Sequence, residues 1–135
     1  MQDYGLYKTI KRVVQQDETL RSRITAVVTH ASDETVCPYV VYELQDHQSD
    51  CALAPQDVRV DFSLKIHSRY AGSMEVCGIM NQLRQIMESK PHQIAGRRGD
   101  VVFKVSKLQV APLEDKITRI GHIQVQARIK PQQER

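Results

Sequence analysis

The chain has no tryptophan and only two phenylalanines in 135 residues. Its core must therefore be aliphatic, built from Val, Ile, Leu and Met. So few aromatics also argue against single-stranded nucleic-acid recognition, which stacks bases on exposed rings. Cys37, Cys51 and Cys77 are odd in number and widely spaced. With no C-x-x-C and no histidine at zinc-finger spacing, a disulfide framework and a zinc module are both disfavoured. A reducing compartment is expected. No apolar run approaches membrane-spanning length, and the opening Met-Gln-Asp-Tyr lacks the apolar stretch of a secretory signal. A soluble chain away from membranes is the expectation. Walker loop, dinucleotide fingerprint, nucleophile elbow and H-E-x-x-H are all missing. No cofactor or metal is implied, and an enzyme is not expected.

One ordinary domain fits this length. Such a domain buries roughly two-thirds of the surface its unfolded chain exposes, so it needs no metal or disulfide to fold. At 41% the apolar content is modest. That fits a protein that completes its burial by association, and it fits a surface-rich monomer equally. Net charge is only +3, but it is unevenly spread. Residues 1–89 hold nine Lys/Arg against twelve Asp/Glu, whereas residues 90–130 hold nine against three. The C-terminal third is thus locally basic, either as a solvated rim or as a surface facing a polyanion.

The clearest pattern is at 58–87. Val58, Val60, Phe62, Leu64 and Ile66 alternate with Arg59, Asp61, Ser63, Lys65 and His67, a half-buried strand at period two. Val76, Ile79, Met80, Leu83, Ile86 and Met87 then recur at three and four, one face of a helix over about 73–89 that stops before Pro91. Leu6, Ile10, Val13 and Val14 mark a first helix over about 3–16, with Asp3 as its N-cap. Residues 17–23 read as a polar turn and 24–29 as a short strand. Pro38 opens a strand through Leu44. Residues 45–57 form a long polar connection that two strand extensions could shorten. Residues 91–100 read as a basic loop. Strand 101–110 alternates imperfectly, which implies a bulge, and a last strand spans 117–129, with Gly121 expected to mark a bend. The order α-β-β-β-α-β-β predicts a two-layer α+β sandwich: a mostly antiparallel sheet of about five strands covered by two helices, in one domain over 1–135 with a frayed tail at 130–135.

Candidate chemistry is sparse. Gly96-Arg97-Arg98-Gly99 matches the G-x-x-G of KH modules, but a strand follows where that fold needs a helix. A glycine-relieved surface loop is the plainer reading, and Arg97 and Arg98 are free to meet phosphate without any KH fold. Arg98-Gly99-Asp100 matches an integrin tripeptide by chance. No two of His30, His47, His67, His92 and His122 share a helical face, although His67 and His122 could meet across a sheet. Cys77 suits core or edge better than a nucleophile. Glu43, Asp46, Asp57 and Asp61 could pair as acid and base, but exposed strand carboxylates more often answer a cross-strand cation such as Arg59 or Lys65.

Pro38-Tyr39-Val40-Val41-Tyr42, then Val58-x-Val60-Asp61-Phe62-Ser63, then Ser68-x-Tyr70-Ala71 and a helix carrying Leu83 resemble a known group. The chain is similar, over about 4–130, to the tail-completion or tail-terminator proteins of long-tailed phages and gene transfer agents. The basic lead-in Arg119-Ile120-Gly121-His122-Ile123 is similar too; the group's Trp after the second motif is absent, with Leu64 in that region. The resemblance implies an α+β subunit of a homo-oligomeric ring, usually a hexamer. Such a ring ends the growth of the tail tube and meets tail-tube protein on one side and a head-completion protein on the other. It lets DNA pass. Assembly in the bacterial cytoplasm and a final place in a phage-like particle are implied with it. On that reading Arg97, Arg98, Lys116 and Arg119 are candidates to face DNA, and Asp46, His47, Asp50, Asp57 and Arg59 to meet a neighbouring subunit. A head-completion (connector) protein and a nucleic-acid-binding module using the basic third are the alternatives.

Overall fold

A computed structural model describes residues 4–30, 36–49, 58–69, 74–95, 99–112 and 119–130; for 4, 45–49, 58, 112 and 130 it describes the backbone alone. The alternating run becomes β3 (Val58–Ser68), in the interior of the sheet. On one side it pairs antiparallel with β2 (Tyr39–Ser49), on the other with β6 (Arg119–Lys130). β6 in turn pairs with β5 (Asp100–Pro112), and the two-residue β4 (His92–Gln93) borders β5. The short β1 (Ala26–Val28) runs parallel to the start of β2, giving a six-stranded order β1-β2-β3-β6-β5-β4. Parallel pairing here departs from the turn-joined pattern expected. Residues 29–38 are long enough to carry the chain back, and the Thr25 N–H fastens the return by donating to Pro38 O at 2.8 Å.

Period two decides which face is covered. Val60, Phe62, Leu64 and Ile66 are fully buried, as are Val40, Ile123 and Ala127 on neighbouring strands. Against this face lie α1 (Tyr4–Gln16), through Leu6, Ile10 and Val14, and α3 (Met74–Ser89), through Val76, Ile79, Met80, Leu83 and Met87. Each such side chain contributes roughly 1.5–3 kcal/mol when fully buried. Between α1 and β1 the chain forms a helix where a turn is expected, α2 (Glu18–Arg23). Six residues with one apolar anchor, the fully buried Leu20, carry no periodicity. The start is set by Asp17, whose carboxylate accepts from Leu20 N–H at 2.9 Å. The Asp3 cap lies outside the described residues.

Two bulges break the ladders, between Leu44 and Asp46 and between Val105 and Lys107. The second is the irregularity expected in 101–110: Val101, Phe103 and Val105 face the helices before it, Leu108 after it. The Val105 N–H donates to Glu88 Oε2 of α3 at 2.8 Å, so helix and bulge are tied together. Gly99 has φ 133°, a value an L side chain rarely tolerates, and its carbonyl accepts from Ile94 N–H at 3.1 Å to close the turn before β5.

Gly121 does not bend β6: pairing continues through it to both Ile66 and Val110. It is instead where α3 touches the sheet. A Cβ there would lie 2.5 Å from Met80 Sδ and 2.7 Å from Val76 Cγ2. Gly121→Ala should gain about 0.5–1 kcal/mol from strand propensity. The overpacking it causes should lose about 1–3 kcal/mol, so net destabilisation is expected. Adding Met80→Ala should cost less in the Gly121→Ala background than in the wild type, because the two changes relieve one another. Urea unfolding of the four proteins checks this; strictly additive losses would remove the steric account.

Candidate functional site: the uncovered face of the sheet

The helices cover one face of the sheet, and the other carries the polar half of each alternation. Register assembles it. Arg59, Asp61, Ser63, Lys65 and His67 of β3 stand opposite Arg128, Gln126, Gln124, His122 and Ile120 of β6, and Lys104, Lys107 and Gln109 of β5 stand beyond them.

Carboxylates on this face answer cations. Glu43 Oε2 lies 3.6 Å from Lys65 Nζ, and Asp61 Oδ1 lies 3.5 Å from Arg59 Nε. With the Gln126 amide oxygen turned toward Arg59, it accepts from Nη2 at 2.8 Å and Nε at 3.2 Å. These carboxylates are engaged in cross-strand and same-strand pairing, not arranged as an acid–base couple. Arg128 sits directly opposite Arg59, a juxtaposition of like charges that Asp61, beside Arg59, offsets in part. Among the described residues Arg128, Lys104 and Lys107 have no ion-pair partner. A basic stripe thus crosses β6 and β5. Sequence reasoning missed it because its members are far apart in the chain and only the ladder unites them.

The two strand histidines share this face but do not meet. His67 stacks on Tyr39, with ring centroids 4.6 Å apart and planes 9° apart, while His122 faces Lys65 in the register. Burial, and then the charge of Lys65, hold the His67 pKa below the ordinary 6.5. His122 is lowered by burial first and by Lys65 and Lys107, against an upward pull from Glu43. Its Nε2 and the Oγ of fully buried Ser63 have no hydrogen-bond partner among the described residues. His92 is separate: it packs near Phe103, and its Nε2 lies 3.1 Å from Ile86 O. Cys77 packs at the edge of the core. No three His, Cys, Asp or Glu gather as a metal site among the described residues, and no described helix is long and apolar enough to cross a membrane.

The residues singled out in sequence fall at several places. Arg97, Arg98, Lys116, Asp50 and Asp57 lie outside the described residues. Arg97 and Arg98 precede β5 and Lys116 follows it, so the thirteen residues of β5, roughly 40 Å of extended chain, separate them along the sequence. Arg119 begins β6, part-buried and opposite Ser68 and Pro112. Asp46 and His47 follow the first bulge, opposite Asp61 and Val60. Arg59 occupies the uncovered face as described above.

Because the fold favours neutral His67 and His122, the unfolded chain protonates first as pH falls. Stability from this source is complete above about pH 6.5 and is lost as pH falls toward the lower folded values. The melting temperature should therefore drop from about pH 7.5 to about 5.5, and His67→Asn/His122→Asn should flatten that slope. Imidazole NMR titration checks the cause; midpoints at or above about 6.5 would contradict it.

No protein-family model matches the sequence, and no curated protein matches it significantly. Solved structures do share its architecture. A protein in the virion of a native gene transfer agent particle is similar over 92% of this chain and 93% of its own, with a TM-score of 0.72 at 17% identity. The gp17 protein of bacteriophage SPP1 is similar over 97% of this chain and 93% of its own, with a TM-score of 0.55 at 20% identity. At such identities the likeness is one of fold, and it is end to end: the α+β architecture that the strand, turn and helix motifs lead one to expect is shared with a gene transfer agent virion protein and a phage protein.

Proposed function

We propose that this chain is a structural subunit of a phage-like particle that closes a homo-oligomeric ring, a hexamer, at the end of a tail tube. There it stops tail growth and joins tail to head. The observation that carries this reading is the whole-length agreement of fold with a gene transfer agent virion protein. What the sheet presents agrees with it, since paired carboxylates, a basic stripe and a polar face that no described helix covers suit contact better than catalysis. No bond is made or broken in this role. The partners are further copies of the chain, tail-tube protein, a head-completion protein and transiting DNA. The chain assembles in the bacterial cytoplasm and ends in the particle.

Native mass spectrometry and electron microscopy of the purified chain, alone and with tail-tube protein, test the ring. Closed rings that cap tubes are expected. A strict monomer at high concentration that leaves tubes growing would reject the proposal.

DNA contact has its own support in the directly opposed Arg59 and Arg128, with Lys104 and Lys107 beside them and without an ion-pair partner among the described residues. We assign DNA-facing roles to this stripe and to Arg97, Arg98, Lys116 and Arg119. Charge reversal at Lys104 and Arg128, or at Arg97 and Arg98, should spare ring assembly and impair DNA passage. Binding of duplex DNA should weaken steeply with salt, and removing one cation that meets a phosphate should flatten the log–log slope by about 0.9. Unimpaired passage or a salt-independent response would remove the assignment.

A further inference from the structure

β1 ends the sheet on one side, and beside it lies a concavity. A groove of about 610 Å³ runs between α1, α2 and β1. Val14, Ile24 and Val27 make its apolar floor, and Lys11 and Arg21 stand over it with exposed cationic heads. Among the described residues no strand pairs with the outer edge of β1. Thr25 N–H turns toward β2 to reach Pro38 O, and Tyr7 of α1 donates its hydroxyl to Val27 O at 2.9 Å, which fastens the groove wall to β1. The groove thus offers an open strand edge, an apolar bed and two positive charges, the requirements for an added extended segment with acidic flanks.

The chain contains such a segment. Residues 50–57, outside the described residues, read Asp50-Cys51-Ala52-Leu53-Ala54-Pro55-Gln56-Asp57: a small apolar centre between two carboxylates, with no cation. They connect Ser49 of β2 to Val58 of β3. β1, however, pairs with Tyr39, Val40 and Val41 at the other end of β2. Eight residue steps of extended strand, roughly 26 Å, separate Val41 from Ser49. The groove and the strand ends Ser49 and Val58, between which the segment runs in sequence, therefore lie at opposite ends of β2.

We infer that the groove beside β1 receives segment 50–57 of a second copy of this chain, which adds as a strand to the β1 edge with Asp50 and Asp57 answering Lys11 and Arg21. The contact is head to tail, with different patches on the two partners, and repetition generates a ring when the rotation closes. This inference rests on the ring reading above and names its two surfaces.

Charge exchange tests it on the full chain, with the oligomer read by native mass spectrometry and the fold of each variant checked by circular dichroism. Lys11→Glu/Arg21→Glu and Asp50→Lys/Asp57→Lys should each weaken assembly by roughly tenfold or more, because like charges then face one another. An equimolar mixture of the two, or all four changes in one chain, should restore the ring. As a second readout that leaves charge intact, Ala26→Cys in a Cys37→Ser/Cys77→Ser background should form a ladder of disulfide-linked oligomers through Cys51 under oxidised glutathione. Cys51→Ser should abolish the ladder. Rings that survive both charge reversals, or that form without any link from the thiol introduced in β1 to Cys51, would overturn this seating while leaving the ring standing. A wild-type chain that never forms rings would overturn both.

Discussion

The apolar face of β3 is the constraint on which the rest depends. Val60, Phe62, Leu64 and Ile66 are sealed from solvent, and the strand that bears them is hydrogen-bonded on both sides. Slipping either neighbour by one residue would turn that neighbour's apolar set to solvent and its polar set into the core. The burial that holds β3 in place therefore also fixes what stands beside what on the opposite face. The Arg59–Arg128 opposition, the Lys65–Glu43 pair and the walled-in Ser63 are consequences of core packing. The helices reinforce the same register. α3 rests on β6 at the one position without a side chain, Gly121, and reaches the β5 bulge through Glu88. α1 is fastened at the far edge, where Thr9 Oγ1 accepts from Ala95 N–H at 2.9 Å.

Elements with a strong period were legible, and those held by a single contact were not. Val58 to Ile66 and Val76 to Met87 repeat often enough for the period to name the structure, and Leu6, Ile10, Val13 and Val14 are buried as their spacing predicts. α2 offers only Leu20 and an Asp17 cap, which is also what a turn looks like. β4 is two residues whose pairing is invisible without β5. β1 pairs parallel with the start of β2, which no local pattern encodes. Gly121 shows the limit most clearly. A strand glycine signals either a bend or a close approach, and only the position of Met80 and Val76 decides between them.

The candidate site was less legible than the fold for a related reason. Charge counting along the chain locates an excess of cations after residue 90 but cannot say which of them share a surface. Lys104 and Arg128 are neighbours only because Gln126 pairs with Lys104 and Arg128 follows two positions along β6, on the same face. Arg59 joins them from the acidic first two-thirds of the sequence, the region that composition alone marks as unsuited to a polyanion. A surface built for contact leaves a weak trace in sequence. Its residues need only the right sign and the right face, whereas a catalytic centre demands particular side chains at particular spacings.

The proposed head-to-tail contact carries a geometric requirement of its own. A contact between two different patches closes into a ring only when the rotation from one patch to the other divides a full turn; otherwise it winds into a filament. β2 runs from the groove end to Ser49, so on the proposed contact its shape is one contribution to that rotation. Two features of β2 contribute to it: the right-handed twist common to all strands, and the bulge between Leu44 and Asp46, which adds local bend and twist between the groove end and the 50–57 end. The long ladder between β3 and β6 holds register without a break over the same length and resists deformation of its neighbour. On the proposed contact, the bulged strand contributes to the angle between successive subunits, and the unbroken ladder beside it helps keep that contribution the same from one copy to the next.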